Sequence, residues 1–209
     1  DGGGALSWSS ASSGTTVDGL SDAKSAGTDF TGSLLLGHQT TGTLDEAYYN
    51  TAVGLASLDA ITSGDGNTSV GFEVLTNNTT GGYNTASGFR TMKANTTGTR
   101  NIAIGSLAYD AADTESDNLA IGYDALGGAI NGGEYNVAIG NYSLDALTSG
   151  NYNVAVGYDG LTENTTGQAN TATGYQALKA NTSGGYNSAF GMSALAADTP
   201  GSWNTAIGQ

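Results

Sequence analysis

One short string governs everything this chain can fold into. Asn-[Thr/Val/Ile/Leu/Ser]-[Ala/Ser]-x-Gly begins at Asn50, Asn67, Asn84, Asn101, Asn118, Asn136, Asn153, Asn170, Asn187 and Asn204. Successive copies start 17 residues apart, except for one step of 18 between Asn118 and Asn136. The reading along the chain assigns that extra residue to Gly132-Gly133-Glu134-Tyr135. Ser33-Leu34-Leu35-Leu36-Gly37 is a degenerate first copy, 17 residues before the first full one. A fixed period of this length marks a stacked-repeat architecture.

Each place in the unit has a physical meaning. With the Asn as slot zero, slot four is glycine in every copy: Gly54, Gly71, Gly88, Gly105, Gly122, Gly140, Gly157, Gly174, Gly191 and Gly208. Slot two is Ala or Ser throughout, and slot eight is apolar from Leu58 to Leu195. Slots eleven to fourteen read Asn-Thr-Thr/Ser-Gly in the best copies. Asn caps its own backbone and Gly takes positive φ, so this run is a turn. Two short segments and two turns in 17 residues are too few for a helical repeat of about 34 or a propeller blade of about 40. One coil of a parallel β-solenoid fits, with like slots about 4.8 Å apart and about ten coils making a rod on the order of 50 Å long. The expected fold class is therefore all-β.

Alternation within the strand predicts assembly. Slots one and three carry pairs such as Ile102 and Ile104, Val137 and Ile139, or Val154 and Val156, while slots two and four are Ala and Gly. A strand apolar on both faces reads as buried on both faces. A thin coil has a single interior, so the other face needs a partner, and a second copy of the chain is the simplest.

Composition narrows the partners. Five Lys and Arg against nineteen Asp and Glu give a net charge of −14, which repels phosphate backbones and anionic lipid. No run approaches the 18 or more apolar residues of a spanning helix, so neither nucleic acid nor membrane insertion is expected. Without Cys there is no disulfide, thiolate nucleophile or zinc–thiolate site.

The units Asn-Thr-Ala-Val-Gly-Leu-Ala-Ser-Leu (50–58), Asn-Ile-Ala-Ile-Gly-Ser-Leu-Ala-Tyr (101–109), Asn-Val-Ala-Val-Gly-Tyr-Asp-Gly-Leu (153–161) and Asn-Thr-Ala-Thr-Gly-Tyr-Gln-Ala-Leu (170–178) resemble the head repeats of YadA-type trimeric autotransporter adhesins. They are closer still to the N-T-A-x-G-Y-x-A-L repeats of phage tail-fibre and appendage proteins. The resemblance covers 33–209. It implies a left-handed parallel β-roll, a homotrimer, an extracellular or virion location, and an adhesive or structural role. The coil is longer than the shorter adhesin coil, and no anchoring barrel or coiled-coil stalk is seen, which favours a fibre module.

Residues 1–32 read as a Gly/Ser-rich lead-in, with Val17 to Gly32 supplying a short helix or loop over the first coil. The chain begins without Met and stops inside a unit, which suggests a processed or partial fibre chain, or head-to-tail filament assembly.

No constellation for chemistry emerges. His38 is the single His, so a Ser-His-Asp triad would have to be built on it. Asp59, Asp110 and Asp145 share slot nine, and Glu73, Asp124 and Asp159 share slot six, without recurring in consecutive coils. Asp110, Asp113, Glu115 and Asp117 form the best metal candidate, and solvated charge is the preferred reading. No catalytic, cofactor or metal residue is assigned. Aromatics recur at slot five, where Tyr123, Tyr158 and Tyr175 are candidate contacts for a cell-surface glycan, and at slot sixteen (Tyr83, Tyr152, Tyr186, Trp203). Stacking between coils accounts for them equally well. Asn78, Asn95, Asn164 and Asn181 match the glycosylation acceptor pattern, although turn geometry alone explains them.

Overall fold

A computed structural model describes residues 23–25, 33–36, 45–197 and 200–208. Among them lie twelve three-residue strands in one sheet, hydrogen-bonded in sequence order. From β2 (Leu34–Leu36) and β3 (Thr51–Val53) to β12 (Thr205–Ile207), every neighbouring pair is parallel. The fold is thus an all-β solenoid of about ten turns. Like slots lie over one another: Ile104 pairs with Ile121 and Ile121 with Ile139, so even the longer step keeps strand register. The lead-in departs from expectation. Ala23–Ser25 forms β1, a strand antiparallel to β2 rather than a helix or loop. The rest of 1–32 and His38 lie outside the described residues.

The interior is thin, and that dictates its residue types. Slot-two alanines such as Ala103, Ala120 and Ala138 are fully buried, facing slot-eight side chains such as Leu126, Leu144 and Leu161. Only a methyl fits between the strand and the facing wall of a coil this small. Slots one and three therefore point outward: Ile102 and Ile104 remain 43 % and 44 % exposed.

Buried asparagines replace the missing hydrophobic bulk. The Asn50 side chain donates from Nδ2 to the Gly64 carbonyl at 2.8 Å. Its Oδ1 accepts the backbone N–H of Asn67 at 2.9 Å. The same bonds recur up the column through Asn136, Asn153 and Asn170. Each side chain thus satisfies a turn carbonyl of its own coil and an amide of the next, as buried polar groups require. A second column at slot eleven holds the turn: Asn164 Oδ1 accepts from Gly167 N–H at 3.0 Å and its Nδ2 donates to the Gly167 carbonyl at 3.0 Å.

Glycine is required at two slots for different reasons. At slot four, Gly105 has φ +136°, and a Cβ there would stand 2.2 Å from the Gly122 carbonyl oxygen. At slot fourteen the sequence reading expected positive φ, but Gly98 lacks it. Its need is space, since a Cβ would stand 2.3 Å from both Asn95 Oδ1 and the Glu115 carbonyl oxygen. Glu115, the non-glycine at that slot, follows Ala112 in place of the slot-eleven Asn, so the obstructing amide is gone. Positive φ instead falls on side-chain-bearing residues of slots six, eight and sixteen, among them Asp159, Leu161 and Tyr152.

The extra residue is also relocated. Ile130 is buried like Ile61 and Leu147, so it fills slot eleven. Asn131 N–H then bonds the Thr148 carbonyl, and the Gly133 carbonyl accepts Asn118 Nδ2, as slots twelve and fourteen do elsewhere. The insertion therefore lies in Gly127–Ala129, before the turn. The slot-zero Asn column passes this coil undisturbed.

Candidate functional surface

The outward sheet face is the most distinctive surface. Across ten coils, slots one and three hold no charged residue, although the chain carries −14. Val53, Val70, Ile102, Ile104 and Phe190 are each about two-fifths exposed there. Strands of three residues with only their central residue buried explain the pattern.

Aromatic rows run along both sides of this face. At slot five, Tyr123, Tyr158 and Tyr175 are exposed as the glycan assignment requires, but their rings are engaged with one another. Tyr158 stacks on Tyr175 at 5.7 Å between centroids. Asn141 occupies slot five between Tyr123 and Tyr158, and Tyr142 from slot six fills the place, meeting both rings edge-on at 5.4 and 5.8 Å. Phe72 and Phe89 stack lower in the same row. At slot sixteen Tyr135 stacks on Tyr152 at 5.1 Å, and Tyr186 on Trp203 at 4.2 Å, the planes within 5° in each pair. Counting from Asn118 misses Tyr135 because of the insertion; counting back from Asn136 places it in the row.

A ridge of charge follows slots six and nine. Glu73 accepts from Lys93 Nζ at 2.6 Å and Arg90 Nε at 2.9 Å. The Lys93 bond leads in holding its carboxyl below the usual range, with Arg90 adding and partial burial opposing. Further along, acids face acids. Burial, then the Asp124 charge, pushes Asp110 up. Burial, then Asp124 and Asp159, pushes Asp145 up to about 6. One Asp145 oxygen is also buried without a hydrogen-bond partner.

The acidic candidates for a metal do not converge. Asp117 is held by Arg100 through Nε and Nη2 at 2.6 and 2.7 Å. The Glu115 carboxylate accepts from Gly132 N–H at 2.9 Å and from Thr114. Asp110 lies on the charged ridge instead. Among the described residues no group of three or more His, Cys, Asp or Glu is placed to hold an ion. The acceptor asparagines Asn78, Asn95, Asn164 and Asn181 are fully buried, so a glycan cannot be attached to them in the folded coil. Among the same residues no helix is long and apolar enough to cross a membrane. No family model, no curated protein and no solved structure matches this chain.

Proposed function

We propose that the protein is a non-enzymatic structural and adhesive fibre module, extracellular or on a virion, whose solenoids associate through the outward sheet face as a homotrimer. The observation that supports this most is the uncharged column pair at slots one and three on a chain of −14. Solvent-facing Ile, Val, Leu or Phe in eight of the ten coils, broken by Thr85 and Ser87 and by Thr171 and Thr173, cost hydration that a neighbouring copy removes. With three-residue strands, a strip about 50 Å long and roughly 10 Å wide offers on the order of 500 Å² per chain for burial against its neighbours. Charge confined to the turns and to the ridge at slots six and nine keeps the assembled rod soluble and limits further lateral growth.

Sedimentation velocity tests the assembly. The chain should sediment at about three times its 20.8 kDa mass. Paired substitution of Ile104→Glu and Ile139→Glu, both pointing away from the coil interior, should yield folded single chains. A wild-type protein that stays a single chain at high concentration refutes the assembly.

A further inference from the structure

Between Tyr135 and Trp203 the slot-sixteen row has one gap. Tyr135 and Tyr152 form one parallel stack and Tyr186 and Trp203 another, but the intervening coil carries Ala169. Its backbone keeps the row's conformation, with φ 53° against 59° at Tyr152 and 60° at Tyr186. Only the ring is missing. The row's other small residue, Gly66, leaves no such space, because Tyr83 leans over it and would stand 2.9 Å from a Cβ there. In the slot-five row, Tyr142 likewise fills the place of Asn141. Tyr186 is engaged on its far face by its stack on Trp203, and Gln168 Nε2, from the gap's own coil, donates to its hydroxyl at 3.2 Å.

We infer that Tyr152, Ala169 and Tyr186 form a slot for one neutral pyranose ring of a saccharide, with Gln168 at its rim. Tyr152 and Tyr186 are two coils apart, about 9.6 Å at the usual strand spacing. Carbon contacts of about 3.5–4.0 Å to each wall leave roughly 2 Å for the guest's own thickness. A pyranose chair fills that thickness and presents its axial C–H bonds to the faces of both tyrosines. The Tyr hydroxyls and the Gln168 amide are placed to meet sugar hydroxyls at the edge. A net charge of −14 disfavours acidic sugars and nucleotides. The inference names the partner class of the adhesive reading above and rests on it, at a row different from the glycan contacts read from the sequence.

Maltohexaose, cellohexaose and N,N′-diacetyl-chitohexaose, titrated separately and followed by Trp fluorescence and saturation-transfer NMR, supply the test. At least one should bind wild type. Ala169→Tyr completes the stack as Tyr does in the flanking coils, so it should keep the fold and weaken binding tenfold or more. Tyr152→Ala, which removes one wall, should do the same, and Tyr158→Ala in the slot-five row should not. Binding that survives both slot variants overturns the inference, as does failure of all three probes. Sedimentation of the same samples separates the two readings: an intact trimer that binds no sugar refutes the slot alone. An Ala169→Tyr chain that loses its trimer shows the gap to be filled by another copy, which also refutes it.

Discussion

At the scale of single residues, the asparagine column stabilises a core too thin for large side chains. Asn153 shows why. Its Nδ2 donates to the Gly167 carbonyl at 2.8 Å and its Oδ1 accepts Asn170 N–H at 3.0 Å. Replacement by Ala strands a buried carbonyl and a buried amide at once. Each orphan costs about 1–3 kcal/mol, so Asn153→Ala should lower stability by about 3–5 kcal/mol. Urea denaturation measures it, and a loss below about 1 kcal/mol would show that water substitutes for the amide. The importance of Asn was legible in the sequence from its invariance of spacing. Its bonding to two successive coils was not, because that depends on which atoms stacking brings within 3 Å.

At the scale of the element, the coil's corners decide what can change. The extra residue lies in Gly127–Ala129, where no Asn-column bond is made. Deleting Gly128 should therefore leave the thermal midpoint within a few degrees of wild type, whereas deleting Gly133 shifts the carbonyl that accepts Asn118 Nδ2 and should unfold the neighbouring coils. Circular dichroism melts of the two deletions distinguish this placement from one inside the turn. The charged ridge adds a pH effect. Asp145 has a folded pKa of about 6, above its ordinary carboxylate value, so the native state binds its proton more tightly than the unfolded chain. Stability from this group is greatest below about pH 4 and falls as pH rises through 6. Asp145→Asn should flatten that slope and raise stability at pH 7.5, by on the order of 1 kcal/mol given the solvent access of the site. Unchanged pH dependence in the variant would place the effect elsewhere.

At the scale of the molecule, strand contacts among the described residues join each coil only to its neighbours, so stability accumulates along one dimension. Excision of residues 153–169, one full unit, should leave a folded solenoid with the slot-zero Asn column continuous from Asn136 to Asn170. Its denaturant m-value should drop by roughly a tenth, in proportion to the surface lost. A collapse of folding on excision would mean that coils are not interchangeable.

Period, strand position and parallel stacking were determined by the sequence alone, because a 17-residue recurrence of Asn, Ala and Gly permits only one way for like residues to find like neighbours. The direction of the sheet faces was decided by the tertiary structure. Alternation says that Ala103 and Ile104 point oppositely, but only the width of the closed coil puts the methyl inside and the isoleucine out. The same holds for the lead-in strand β1 and for the gap at Ala169, since both arise from what stands beside a residue in space, which the period of the repeat does not encode.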